Sequence, residues 1–187
     1  MRNTAATLAD FSVTFTEYTS LNSVVADVVG SIDPTVAGFV DLGASGGSFG
    51  TNFYSQGMKI APPGGASRQL YEVTPPFVTP SFASLLKAGV YVSGGHFQFD
   101  ANGVFADQLN LPAGYVANTP MTSSAQWAGT FVSLGITPTP FMMNLPGNQH
   151  ISMNFLTVVP EPATWALVAM AAVGTSLARM VRRRNAG

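Results

Sequence analysis

The chain has 187 residues and no cysteine, and 9% of its residues are charged against 47% hydrophobic. This length allows one domain with a sizeable core and excludes a multidomain enzyme, while the lack of cysteine excludes disulfides, thiolate metal sites and a cysteine nucleophile. Residues 1–178 carry four scattered basic side chains and all nine acidic ones, so there is no basic stripe for binding nucleic acid.

The first nine residues resemble the last part of a secretory signal peptide. They are small or polar, end in Ala9 and precede a strand-like run, but they lack the apolar core of about 7–15 residues that such a signal needs. We therefore expect the start to be truncated or assigned too far downstream. An in-frame apolar segment in the coding DNA upstream of Met1 would support this expectation, and a stop codon immediately upstream would contradict it.

Residues 10–158 are predicted to form a β-rich extracytoplasmic domain. Phe11, Val13 and Phe15 alternate with polar residues, which is typical of a half-buried strand. Similar runs occur at residues 23–29, 35–40, 69–73, 90–92, 96–99, 103–109, 129–134 and 150–158. Glycine and proline clusters separate them, so we predict an antiparallel β-sandwich or jelly-roll-like domain with one short helix at residues 82–87.

Two short motifs have catalytic counterparts. Residues 43–47 match the G-x-S-x-G pattern of a nucleophile elbow, which would make Ser45 a nucleophile. The residues that follow are a poor helix start and the chain is short for an α/β-hydrolase, so a flexible glycine loop is favoured. Ser84 and Lys87 match S-x-x-K, but neither S-D-N nor K-T-G follows, which favours a surface lysine.

Residues 96–105 predict a hairpin, because Asp100 and Asn102 tolerate turn conformations and Gly103 supplies a positive φ. The same D-x-N-G run resembles the start of a calcium loop, but Gln98 and Leu109 stand where such a loop needs oxygen ligands. We therefore predict no metal and no cofactor.

The only two histidines are His96 and His150. Two imidazoles could join a metal site, or one could serve Ser45 as a general base. Nothing in the sequence places them together, and each is expected at a strand end.

A C-terminal transmembrane helix is predicted at residues 163–181. These nineteen residues contain one charge near one end and would reach roughly 28 Å as a helix, close to the ~30 Å core of a bilayer. A buried core helix is the alternative, but the run has no polar stripe of helical period. The arginines after the span orient it with residues 1–160 outside the cytoplasm. The membrane-orienting residues are Trp165, Arg179, Arg182, Arg183 and Arg184.

Pro160, Glu161 and Pro162 stand directly before this span. A Pro-Glu-Pro sequence, an apolar span and a terminal arginine cluster together resemble the PEP-CTERM sorting signal of Gram-negative bacteria. The resemblance implies that residues 159–187 are a signal recognised at the Pro-Glu-Pro element and processed by exosortase, a membrane-embedded cysteine transpeptidase. It also implies a surface or extracellular product of the kind often encoded beside exopolysaccharide genes, without a transmembrane helix after processing.

Three function classes follow for the β-rich domain. We favour a non-catalytic surface or matrix protein associated with exopolysaccharide or biofilm, because a weakly charged surface rich in hydroxyl and amide groups suits sugars. The alternatives are a carbohydrate-binding module with sugar contacts at Trp127, Tyr54 and Tyr115, and a serine hydrolase built on Ser45. Residues 1–160 carry four basic and eight acidic side chains, a net charge of −4, so the processed domain is mildly acidic.

Overall fold

The computed structural model describes residues 10–46, 50–65, 67–76, 87–101 and 107–159. These residues form twelve strands with two short 3-10 helices, Thr19–Leu21 and Pro146–Asn148. The strands are β1 (Asp10–Tyr18), β2 (Ser23–Gly30), β3 (Phe39–Ser45), β4 (Thr51–Tyr54), β5 (Gly57–Ile60), β6 (Arg68–Val73), β7 (Lys87–Gly94), β8 (Phe97–Asp100), β9 (Gln108–Pro112), β10 (Met121–Ala128), β11 (Phe141–Leu145) and β12 (Gln149–Val158).

All twelve strands belong to one curled sheet in the order β11-β12-β1-β2-β10-β7-β4-β5-β8-β9-β6-β3. Ten of its eleven strand pairs are antiparallel, and β1 and β12 form a parallel pair from Asp10 opposite His150 to Tyr18 opposite Val158. The first and last strands of the described chain are therefore neighbours along their whole length.

Strand β7 joins the two halves of the sheet. Its first residues, Lys87 to Gly89, pair with β4, whereas Val90 and the residues after it pair with β10. Because one strand serves both halves, the sheet folds over and packs its apolar faces against each other. Phe11 of β1 meets Phe97 of β8 across this core with ring centroids 5.2 Å apart.

The core follows from the alternation of side chains along each strand. Phe11, Val13 and Phe15 are fully buried, as the pattern of β1 predicts, and the residues between them face outward. Burying each such side chain is worth about 1.5–3 kcal/mol, and β1 contributes three of them at the centre of one half.

The mainly β prediction is confirmed, but the layers differ from the predicted sandwich or jelly-roll. They are two parts of one sheet, because β7 passes from one to the other. The prediction that the strands are antiparallel is wrong for β1 and β12, since the chain ends by adding β12 beside β1 in the same direction.

Several strand predictions also change. The strand predicted at residues 129–134 is a series of turns, in which the amide of Leu134 donates to the carbonyl of Thr130 and that of Ile136 to Phe131. Phe131 and Leu134 are only 3% exposed, so their hydrophobicity reflects a buried loop. The strand predicted at residues 35–40 begins only at Phe39. Strands β4, β5, β10 and β11 were not predicted, because short or small-residue segments have weak alternation.

The pairing of the predicted hairpin is confirmed, since β8 and β9 run antiparallel with Asp100 opposite Gln108. Residues 102–106, which include the predicted turn residues Asn102 and Gly103, lie outside the described residues. Of the predicted helix at 82–87, residues 82–86 lie outside the described residues, and Lys87 begins β7 instead.

Residues 1–9 and the predicted membrane span at 163–181 also lie outside the described residues. Within the described ranges, no helix has the length and hydropathy needed to cross a membrane.

Candidate functional site

The last strand ends where the candidate sorting segment begins. Strand β11 pairs with β12 only from Gln149 to Met153, whereas β1 pairs with it as far as Val158. In the described part of the chain, the second half of β12 therefore has a neighbouring strand on one side only. Val158 and Val159 are 44% and 66% exposed. The chain thus leaves the sheet at an exposed point directly before Pro160.

Side chains of β1 and its following turn hold this end of β12 in place. The hydroxyl of Thr19 donates to the carbonyl of Val158 over 3.3 Å. One carboxylate oxygen of Glu17 accepts from the Thr157 hydroxyl at 3.5 Å and the other from the amide of Phe131 at 3.2 Å. Phe155 stacks on Phe15 with ring centroids 5.0 Å apart. The exit point is therefore anchored to the opposite end of the chain.

The family model of the PEP-CTERM protein-sorting motif matches residues 158–184. The chain carries a PEP-CTERM sorting signal. The predicted resemblance is thereby confirmed, and the matched segment starts on the last residue of β12. The PEP-CTERM signal supports export and sorting by exosortase, and it implies a membrane-anchored precursor followed by a surface or extracellular product. Neither the curated proteins nor the solved structures give a match to the chain.

The individual residues of the PEP-CTERM tail lie outside the described residues, so their roles stay predictions. These are the recognition element, Pro160, Glu161 and Pro162, and the membrane-orienting set, Trp165, Arg179, Arg182, Arg183 and Arg184.

Two of the three aromatic residues predicted to contact sugar, Trp127 and Tyr115, make contacts within the domain. Trp127 is 1% exposed and its Nε1–H donates to the carbonyl of Lys87, so it presents no ring face to solvent. The hydroxyl of Tyr115 accepts from the amide of Ile32 and donates to the carbonyl of Thr119, both at 2.9 Å. Tyr54 is the last residue of β4, and its side chain lies outside the described part of the structure. These contacts assign packing roles to Trp127 and Tyr115.

The residues of the hydrolase alternative lie far apart in the sheet. Ser45 ends β3, an edge strand three places from β8, which His96 precedes; at the usual strand spacing this is about 14 Å. His150 lies on β12 near the other edge, with Nδ1 3.2 Å from a carboxylate oxygen of Asp10. The fold therefore brings neither imidazole to Ser45. Ser84 lies outside the described residues, and among those described no cluster of three or more potential metal ligands occurs.

A group of polar side chains was missed by the sequence analysis, and we call it the outer polar cluster. Lys59, Gln98 and Asn110 occupy one row across β5, β8 and β9, on the face opposite the aromatic core. Arg68 of β6 donates from Nη1 to Oε1 of Gln98 over 3.0 Å. His96 precedes Gln98 by two residues. The five residues Lys59, Arg68, His96, Gln98 and Asn110 make up the cluster.

A repeated sequence pattern could have revealed this cluster. Three strands each place one polar residue between two large apolar ones, as Met-Lys-Ile at 58–60, Phe-Gln-Phe at 97–99 and Leu-Asn-Leu at 109–111. The pattern predicts three outward side chains, but not that the strands are neighbours. Only the order β5-β8-β9 aligns them.

The cluster is more buried than an outer sheet face usually is. Asn110 is fully buried, His96 is 1% exposed and Gln98 is 8% exposed. Burial, reinforced by the positive charges of Arg68 and Lys59, lowers the pKa of His96 to about 4, and the nearby Gln98 side chain opposes the shift. Burial and the charge of Arg68 also lower the pKa of Lys59. The imidazole of His96 is therefore neutral at pH 7 and lies in a positive field.

Proposed function

We propose that this protein is an exported, non-catalytic surface or matrix protein, released or anchored after exosortase processes its tail at the Pro160-Glu161-Pro162 element. The observation that supports it is the sorting motif at residues 158–184, which begins on the last residue of β12. The proposal places the β-rich domain on the periplasmic side before processing. The span at 163–181 holds the precursor in the membrane, and the arginines after it remain in the cytoplasm.

The physical basis of recognition is an extended peptide held at a fixed distance from the membrane. Pro160 and Pro162 restrict the backbone and remove two amide donors, so the segment does not continue the following helix. Glu161 supplies the only charge of the element and keeps it in water. On the other side the peptide is tethered at Val158, through β1 and Thr19. These constraints favour an accessible substrate between a folded domain and the bilayer.

Association with exopolysaccharide belongs to the same proposal. The outward face of β10 presents the polar side chains of Thr122, Ser124 and Gln126. The hydroxyl of Ser124 donates to the carboxylate of Asp27 on the neighbouring strand β2 over 2.6 Å. Hydroxyl and amide groups hydrogen-bond sugars with little desolvation penalty compared with charged groups. The polar strip along β10 therefore suits contact with a hydrated polysaccharide.

The sorting proposal is tested by replacing Pro160, Glu161 and Pro162 with alanine in a cell that contains exosortase. The expected result is a protein that keeps its tail, read from the intact mass. Replacing Pro138 and Pro140 with alanine is the matched control, because this second Pro-x-Pro lies in a loop before β11; the control should be processed normally. Removal of the tail from the 160–162 variant would overturn the proposal.

A carbohydrate-binding module is the second candidate, supported by a surface cleft of about 410 Å³. Tyr91 lines the cleft together with small residues, among them Gly50, Ala61 and Gly64. The Tyr91 hydroxyl donates to the carbonyl of Gly94 over 2.6 Å. An aromatic ring beside a small-residue wall is a suitable platform for one sugar ring. Affinity electrophoresis in neutral polysaccharide should show retardation that Tyr91→Ala abolishes. Equal mobility of the two proteins would count against this function.

A further inference from the structure

Three side chains of the outer polar cluster have buried polar atoms with unmet hydrogen-bonding capacity. Within the described part of the chain, Asn110 has no partner for either amide atom, His96 has none for either ring nitrogen, and Arg68 has none for Nε. A buried polar group without a partner costs about 1–3 kcal/mol, and native structures contain few of them. Asn110 and His96 together with Arg68 therefore form a concentrated set of unused donors and acceptors.

The charge around these groups favours an anion. Arg68 forms no ion pair among the described residues, and Lys59 adds a second positive charge nearby. Two acidic groups share this face: Asp100 of β8 and Glu72 of β6 lie about 7 Å along the strands from the row of Gln98 and Asn110, and about 13 Å from His96 and Arg68. The charges that act on His96 are those of Arg68 and Lys59. The field at His96 is therefore positive, in a domain whose net charge is negative.

The donor geometry favours a carboxylate in particular. Nη1 of Arg68 donates to Gln98, whereas its Nε–H has no hydrogen-bond acceptor among the described residues. Asn110 of β9 is opposite Gln98 of β8 and diagonal to Arg68 of β6. The positive charge of Arg68 also acts on His96. A carboxylate accepts several hydrogen bonds through its two oxygens, and bonds from charged donors are the strongest of these.

We propose that the outer polar cluster binds a carboxylate group. Nε of Arg68 and Nδ2 of Asn110 donate to its oxygens, and the neutral imidazole of His96 donates one further hydrogen bond. The carbonyl oxygen of Asn110 and the second nitrogen of His96 then accept from hydroxyl groups beside the carboxylate. A hydroxy acid matches this arrangement better than a simple anion does.

Two sources supply such a group: the uronate units of an acidic polysaccharide, and a free small hydroxy acid. The first source rests on the proposed matrix function, whereas the second does not. The site itself requires only the shared chemistry, so the two sources are separated by comparing a polymer with its monomer.

The test is titration calorimetry of the full chain, purified in detergent, with sodium glucuronate, an oligomer of glucuronate, and glucose. We expect both acidic probes to bind and glucose to give no heat. Arg68→Gln and Asn110→Leu should each weaken glucuronate binding at least tenfold, and Arg68→Lys should weaken it less. Lys87→Gln, which removes a cation from β7, is the matched control and should bind as the parent does.

Each outcome decides the proposal. Tighter binding of the oligomer assigns the site to acidic polysaccharide, and equal or weaker binding of the oligomer assigns it to a free hydroxy acid. No binding of either acidic probe, or binding that the Arg68 and Asn110 variants leave unchanged, overturns the site. Asn110→Leu removes two unsatisfied groups, so it should fold; its urea midpoint separates lost binding from lost structure. Glucuronate binding without retention on polysaccharide would refute matrix association and leave the site intact.

Discussion

Gly89 of β7 lies directly against the indole ring of Trp127, and no larger residue fits between the two strands. A Cβ atom at position 89 would stand 2.5 Å from Cε2 of Trp127. The indole Nε1–H donates to the carbonyl of Lys87 two residues earlier, over 3.2 Å. This contact lies where β7 changes its partner from β4 to β10. The passage of β7 between the two halves of the sheet thus requires a residue without a side chain at position 89, where the buried indole of Trp127 packs on the backbone.

Gly89→Ala should therefore destabilise the domain by about 1–3 kcal/mol, the usual cost of overpacking a core. Urea unfolding measures it as a lower midpoint with an unchanged slope. Gly46→Ala is the control, since a Cβ at position 46 meets nothing within 4 Å. Equal midpoints for the two variants would show that the indole moves aside at little cost.

The hydroxyl of Tyr115 is predicted to have a structural role. Tyr115→Phe should leave the amide of Ile32, a fully buried residue, without its partner and cost about 1–2 kcal/mol. Tyr91→Phe removes an exposed hydrogen bond to Gly94 and should change stability by less than about 0.5 kcal/mol. Thermal unfolding of both variants checks the difference. A Tyr115→Phe protein as stable as the parent would reopen a surface role for this residue.

Burial of His96 should make stability depend on pH. Its pKa is about 4 in the folded protein against an ordinary value of 6.5, so the unfolded chain binds more protons between these values. Stability from this group is therefore complete above pH 6.5 and is lost as the pH falls towards 4, by an amount on the order of 3 kcal/mol.

His96→Gln should remove this part of the pH dependence, whereas His150→Gln, at a partly exposed position, should retain it. The measurement is the free energy of unfolding at intervals from pH 7.5 to 4. If the parent and the His96→Gln protein lose stability in parallel across this window, His96 is not buried as a neutral group.

The carboxylate of Glu17 should stabilise the end of β12. Glu17→Ala removes the acceptor for both the amide of Phe131 and the hydroxyl of Thr157, at an expected cost of about 1 kcal/mol. Glu17→Gln keeps an amide oxygen as acceptor and should recover most of the loss. Limited proteolysis provides the local readout, because a loosened strand end should be cut sooner after residue 153. Unchanged cleavage in Glu17→Ala would show that β1 pairing alone holds the strand.

The strands that could be predicted are those whose side chains alternate strongly. β1, β2, β6 and β12 bury apolar residues at alternating positions, and their predicted bounds agree with the structure to within a few residues. The loop at 131–135 misled the same reasoning, since Phe131 and Leu134 are buried without a strand. Periodicity reports which side chains are buried, and a loop that covers a core also buries them.

The sorting signal was determined by the sequence alone, because its parts are contiguous and act through composition: two prolines, an uninterrupted apolar run and a group of arginines.

The arrangement of the domain was decided only by tertiary structure. Alternation along a strand records the buried face but not the neighbour, so neither the parallel pairing of β1 with β12 nor the passage of β7 between halves was predictable. The outer polar cluster has the same origin. Its residues come from four parts of the chain, and their distance from one another is set by strand order, a property that no local stretch of sequence contains.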